Sequence, residues 1–348
     1  MTRRLPTALV AAIAVLGASL VPATLASATA TTSYVVSATV SASLAATMPL
    51  LRLHFNAPAH AASLPALRTS PALKVRWQQI GARDVQAIAV GKLLPAVAYT
   101  ISVPTRMSCA KRCTFTTLRR HVATVATSLT WEAQLLAELN YLPVRFTPTA
   151  PQSNPTQSVS GTFAWKYAGL PASLSAQWRL GVDNIVLHGA VMAFQSVHNL
   201  ATTGVADAPT WAQLFSAVQT GALNPGSYNY VVVSEANPQT TTLYVAGHRK
   251  LTTPANTGIS VSPTVTGTFP VYLRYVTQTM SGTNPDGSHY SDPGIPWVSY
   301  FNGGDALHGF IRSTYGWPQS LGCVEMPFAA AQVIYPFTPI GTLVTVTS

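Results

Sequence analysis

Apolar and polar residues alternate in short runs at Leu50–Phe55, Lys74–Trp77, Val85–Val90 and Tyr99–Val103, with Asn56, Pro58, Pro71, Gly81 and Pro95 between them. A period of two places one side of each run toward a core, and evenly spaced short strands of this kind predict a β-sandwich over residues 33–125. At Thr130 the period lengthens. Trp131, Leu135, Leu136 and Leu139 recur at helical spacing with Thr130 as the expected N-cap, and Ala190–Gln195 predicts a second helix running toward Gly204. Asp207 and Pro209 then open a third helix, whose Leu214, Phe215 and Val218 share one face, so residues 128–222 read as a small helical module. From Tyr228 the strand pattern returns, at 228–233 and 242–245 with a turn near Asn237-Pro238, and again at 258–261, 268–273, 297–301 and 342–346. The stretch 277–296 reads as a long loop, and such loops inside a compact domain usually serve function, so it is expected to act as a lid. The predicted fold class is multidomain and mainly β.

Composition changes this picture at the N-terminus. Arg3 and Arg4 precede the apolar run Leu9–Leu16, and Ala26-Ser27-Ala28 and Ala28-Thr29-Ala30 both have the form of a signal-peptidase site. A signal peptide over residues 1–28 and a secreted or wall-associated product are expected. The run is shorter than the about 20 residues a spanning helix needs, so no retained membrane span is expected. There are 20 Lys and Arg against 10 Asp and Glu, a net charge of +10, or +8 without Arg3 and Arg4. That field favours anionic wall polymers as partners. With no basic run of the necessary length and no nucleic-acid motif, it does not point to nucleic acid.

Three cysteines narrow the chemistry. Cys109 and Cys113 lie close enough to close a small loop in an oxidising compartment, which leaves Cys323 as an odd thiol. Cys323 follows Gln319-Ser320-Leu321-Gly322, and His308 precedes it by 15 positions in Ala306-Leu307-His308-Gly309-Phe310. A thiol attacks an acyl carbon as thiolate, which an imidazole can generate, and a glycine before the nucleophile lets backbone N–H groups approach an oxyanion. The remaining histidines, His188 and His198 among them, form no metal pattern, and no phosphate loop or G-x-S-x-G elbow occurs, so no cofactor or metal is implied.

These two segments resemble the signature of the L,D-transpeptidase catalytic family, in which an "HG" is followed by "S-H-G-C". The wider context agrees: Thr264–Phe269, Pro296–Gly304 and the closing run Pro339–Val344 resemble further family segments, so the likeness spans about residues 227–348. The resemblance implies Cys323 as nucleophile and His308 as base, with the Gly309 carbonyl orienting the imidazole and Ser320 shaping the site. It implies Gly322 and Cys323 N–H groups as oxyanion donors, and Met280, Trp297 and Tyr300 along the substrate cleft. Two positions depart from the family: its second histidine is Leu321 here, and the residue two after the nucleophile is Glu325, whose carboxylate would raise the thiol pKa if it faced Cys323. Phe194-Gln195, Leu200, Gly204 and Thr210-Trp211 resemble a peptidoglycan-binding helical module, here interrupted by residues 148–187. Leu53–Pro58 and Leu94–Tyr99 resemble the outer strands of bacterial Ig-like wall domains.

The implied activity is peptidoglycan 3→3 crosslinking by cysteine acyl transfer, with stem peptides and glycan as partners, outside the cytoplasm. Two alternatives stay open at this point: an L,D-carboxypeptidase using the same site with water, and a wall-binding protein without catalysis.

Overall fold

Burial alternates along the N-terminal strands as the sequence pattern requires. The computed structural model describes residues 31–348 apart from 42, 45–48, 91, 92, 110, 111, 126, 153, 155 and 156, so the expected signal peptide lies outside the described residues. The first strands are β1 (Thr31–Val40), β2 (Ser43–Leu44), β3 (Leu51–Phe55), β4 (Thr69–Ser70), β5 (Val75–Gln79), β6 (Asp84–Ala89), β7 (Ala98–Cys109) and β8 (Cys113–Val125). β1 stitches two layers together: Thr31–Tyr34 pair with β7, and Val35–Val40 pair with β3. One layer runs β2-β8-β7-β1 with β4 against β7, the other β1-β3-β6-β5. Leu51, Leu53, Phe55, Val85 and Ala87 of one layer meet Tyr99, Ile101, Val103 and Met107 of the other in a single core. A Cys109–Cys113 disulfide closes the β7–β8 hairpin.

The helical part begins with α1 (Leu129–Glu138), capped by Ser128, whose hydroxyl accepts from Trp131 N. Thr130, the expected cap, falls inside the first turn instead. Ser128 is the hydroxyl that stands three residues ahead of an unpaired helical N–H, where a cap must be. β9 (Val144–Pro148) and β10 (Gly161–Trp165) form a hairpin, followed by the short α2 (Ala172–Ser175). α3 (Ile185–Val197) starts from an Asn184 cap, so His188 lies within the helix and His198 at its end. α4 (Ala208–Thr220) is capped by Asp207 and stops at Gly221, whose φ of +67° suits glycine. Between α3 and α4 the loop is organised by Gln195, which is fully buried. Its amide nitrogen donates to Val205 O at 2.9 Å and to Thr210 Oγ1 at 3.0 Å, and its oxygen accepts from Gly204 N at 2.9 Å.

The remaining strands are β11 (Asn229–Ser234), β12 (Thr240–Val245), β13 (His248–Pro254), β14 (Gly267–Pro270), β15 (Leu273–Thr283), β16 (His289–Asn302), β17 (Asp305–Gly309), β18 (Val324–Met326) and β19 (Leu343–Thr347), with α5 (Phe328–Ile334) before the last. They make two sheets, β13-β12-β11-β19-β14 and β15-β16-β17-β18. Val231, Val233, Leu243, Val344 and Val346 of the first pack with Phe301, Leu307, Val324 and Met326 of the second. The helical core runs on into this part through Tyr230 and Leu343. There the backbones of α3 and the turn before β19 touch: a Cβ on Gly189 would lie 2.7 Å from Gly341 O, and one on Gly341 would lie 2.3 Å from Gly189 O. The expected strand at 258–261 does not form; Gly258 makes a single bridge to Ser320. No helix among the described residues is long and apolar enough to cross a membrane.

Replacing Gln195 with Leu leaves the buried Gly204 N–H without its acceptor, a loss of roughly 2 kcal/mol. Urea unfolding of the full chain measures it; a loss under about 0.5 kcal/mol contradicts the role assigned to this side chain.

Candidate active site

Parallel pairing of β17 with β18 sets Leu307 beside Val324 and His308 beside Glu325, so the strand of His308 lies against the residues that follow Cys323. Leu307, Val324 and Met326 are buried, and their burial anchors both strands to the core. The chain returns to β18 through a loop whose polar groups are all drawn inward. Gln319 N and Ser320 N donate to Thr257 O, Ser262 Oγ to Leu321 O at 3.0 Å, and Thr264 Oγ1 to Gly322 O at 2.7 Å. Gly322 has φ +115°, and a Cβ there would lie 2.6 Å from Asp305 Oδ1. A glycine is required on both counts.

His308 is 2% exposed. Its Nδ1 lies 3.0 Å from Gly309 O, and because a carbonyl only accepts, Nδ1 carries the proton. In the neutral ring Nε2 is then the basic nitrogen. The Cys323 thiol donates to Gly304 O at 3.6 Å. Ser320 Oγ donates to Cys323 O and accepts from Gly322 N at 3.2 Å. That last bond corrects one expectation: the Gly322 N–H is already engaged by Ser320 and is not turned toward an oxyanion.

A cleft of about 690 Å³ gathers His308, Cys323, Ser320, Met280 and Tyr300 along its walls. Trp297 is not among its lining residues. It takes φ +56° and packs edge-on against Phe328 with ring centroids 5.8 Å apart. The stretch 277–296 is not a loop: its residues belong to the long hairpin of β15 and β16, turned at Asn284-Pro285-Asp286-Gly287. Pro-Asp-Gly flanked by β-forming runs was the signal for that turn. The hairpin brings in Tyr290 and Asp292, and the cleft also holds Arg312 and Glu325. Sequence reasoning missed Asp292, Asp305 and Arg312, because their places depend on cross-strand register and not on local pattern.

Residues 228–346 match the family model of the L,D-transpeptidase catalytic domain, and residues 181–214 that of a peptidoglycan binding domain. The C-terminal part of the chain is similar to L,D-transpeptidase catalytic domains. Among solved structures, the L,D-transpeptidase from Mycobacterium smegmatis is 12% identical over 91% of this chain and 99% of its own, with a TM-score of 0.32. L,D-transpeptidase 3 from Mycobacterium tuberculosis is 11% identical over 90% and 99%, with a TM-score of 0.33. The catalytic domain of the E. faecium L,D-transpeptidase is 26% identical over 34% and 96%, with a TM-score of 0.32. The comparison with curated proteins returns no match.

Charge inside this C-terminal part is arranged around Cys323. Burial pushes its thiol up to about 12, and Asp305 and Glu325 push in the same direction against the N–H of Ala306. Burial also holds His308 below its ordinary value, partly offset by the Gly309 carbonyl and by Glu325. Both effects favour uncharged forms, so the resting site holds a thiol and a neutral imidazole. Glu325 is itself balanced: Arg312 Nε and Nη2 meet its two oxygens at 2.7 Å each, and Nη2 also donates to Gln319 O at 3.3 Å. This two-bond contact ties the loop of Cys323 to β18 and spends most of the carboxylate's charge on a guanidinium. Asp305, whose Oδ2 accepts from Val265 N at 3.1 Å, has no cation in contact among the described residues, and burial raises its own pKa.

Asp305→Asn keeps an oxygen for Val265 N–H but removes a charge that opposes the thiolate. Cys323, the free thiol, should then be alkylated by iodoacetamide about threefold faster or more at pH 8. In the native protein the rate should keep climbing with pH beyond 9, since the raised thiol ionises only at high pH. A rate unchanged by the substitution contradicts this account of the thiol.

Proposed function

We propose that the transpeptidase domain is a cysteine acyltransferase that joins peptidoglycan stems by 3→3 crosslinks, with Cys323 as nucleophile and His308 as base. The observation that carries this reading is the shared cleft: a buried imidazole with its tautomer fixed by Gly309 and the free thiol open onto one cavity. In the first step the Cys323 S–H proton passes to His308 Nε2 as sulfur attacks the carbonyl carbon of the third stem residue. Because the resting pair is uncharged, proton transfer and attack belong to one event. The N–H of Cys323 itself is the oxyanion donor proposed, since that of Gly322 is taken up by Ser320. As the C–N bond breaks, His308 returns the proton to the leaving amine of the terminal D-alanine, and a thioester remains.

In the second step the side-chain amine of a neighbouring stem attacks the thioester carbon. His308 takes the amine proton, the C–S bond breaks, and the proton returns to sulfur. Met280 and Tyr300 line the space where the donor stem would lie. A substrate of this kind is outside the cytoplasmic membrane, which places the protein at the wall, with the peptidoglycan-binding-like region at 181–214 next to the catalytic sheet.

Incubation with purified tetrapeptide muropeptides should yield crosslinked dimers and free D-alanine, and Cys323→Ala should yield neither. Tripeptides without dimers would assign water as the acceptor. Dimers at undiminished rate from Cys323→Ala would remove cysteine from the mechanism.

A further inference from the structure

The positive charge of this chain is confined to one end. Residues 31–125 contain eleven Lys and Arg and a single acid, Asp84, whereas residues 126–348 contain seven Lys and Arg against nine Asp and Glu. The N-terminal two-layer unit therefore carries a net +10 and residues 126–348 carry −2. Asp84 does not relieve this, because its carboxylate contacts His54 Nδ1 at 2.7 Å. Arg52, Arg68, Lys74, Arg76, Arg83, Arg106, Arg112, Arg119 and Arg120 are all exposed, and among the described residues none of them forms an ion pair. Unpaired like charges at this density work against the compact state. A spacer has no need of them.

Their placement is informative. On β3, Arg52 alternates with the buried Leu51 and Leu53, so it points away from the core, as does Arg76 on β5. Arg120 lies opposite Ser102 on the other layer, and the outward face there is the opposite side of the unit. Between these faces, where β1 leaves β7 for β3, the strands part and open a notch of about 430 Å³. Arg119, Arg120 and His121 line it, together with Val35, Val103 and Thr105.

We propose that the N-terminal unit binds a flexible polyanion bearing repeated phosphodiesters, seated in the Arg119–Arg120–His121 notch and running over both faces. Cations on opposite faces match a chain that can bend around the unit, whereas a flat lipid surface reaches one face at a time. Arg119 and Arg120 line the notch, and arginine suits phosphate oxygens through paired N–H bonds. The proposal places such a polymer in the same wall on which the catalytic domain is proposed to act. Holding it raises the local concentration of stems without any change in the cleft. The binding itself does not rest on the catalytic reading, and its test uses no turnover.

The test is binding of the full chain to poly(glycerol phosphate), to sacculi before and after removal of their phosphate polymer with hydrofluoric acid, and to phosphatidylglycerol vesicles. The expected result is retention on untreated sacculi, its loss after stripping, and affinity for the polymer that falls log-linearly with salt. Arg119→Glu/Arg120→Glu should weaken polymer binding at least tenfold while leaving iodoacetamide reactivity of Cys323 unchanged. Arg52→Glu/Arg76→Glu, on the opposite face, gives a second variant should the first fail to fold, and should weaken it at least threefold. Equal retention on stripped sacculi, affinity unmoved by charge reversal, or tighter binding to the vesicles than to the polymer would each overturn the proposal.

Discussion

The position of Cys323 depends on one short peptide, Leu321–Cys323, whose three backbone carbonyls are captured by hydroxyls. Ser262 takes the carbonyl of Leu321, Thr264 that of Gly322, and Ser320 that of Cys323. Buried carbonyls need partners, and three serine and threonine hydroxyls supply them without bringing charge to the thiol. Gly322 closes against Asp305 with no room for a side chain. From this tie-down follow the parallel register of β18 on β17, the placing of Glu325 beside His308, and the opening of the thiol onto the cleft. A peptide fixed in this way is preorganised before any ligand arrives, as the proposed acyl transfer would require.

Around that peptide the electrostatics are restrained. Arg312 and Glu325 depart together from a bland cleft, and each makes sense only with the other: alone, a carboxylate 4% exposed beside His308 would be costly to bury. Asp305 lacks such a partner in contact and faces the peptide from the far side, where its charge opposes the thiolate. The result is a resting thiol and imidazole that are both neutral. In the proposed mechanism, proton transfer would accompany attack and no standing thiolate is needed.

Much of this was legible in the sequence, and the parts that were not share a cause. Alternation fixed the N-terminal strands, and Asp207 with Pro209 marked the start of α4, because caps and periods are local properties. His308, Gly309, Ser320 and Cys323 drew attention as a linear motif. Thr130 failed as a cap because Ser128 also fits the rule, and only the hydroxyl that reaches a free N–H decides. The stretch 277–296 read as a loop because its hydroxyl-rich, proline-bearing strands lack strong apolar alternation; they pair with each other across a register shift between Gln278 and Met280 and carry Tyr290 and Asp292 into the cleft. Trp297 was placed in the cleft by likeness alone, and a positive φ turns it onto Phe328 instead. Arg312 and Asp305 could not be found without the register of β17, since neither sits at a spacing that signals chemistry.

The central claim is that Cys323 is an acylable nucleophile, and the most direct measurement is the intact mass of the protein after incubation with a carbapenem, followed by peptide mapping. The account predicts a single covalent adduct on the peptide containing Cys323, absent from Cys323→Ala and slowed at least tenfold in His308→Gln. No adduct on folded protein, or one that maps to another residue, would contradict it.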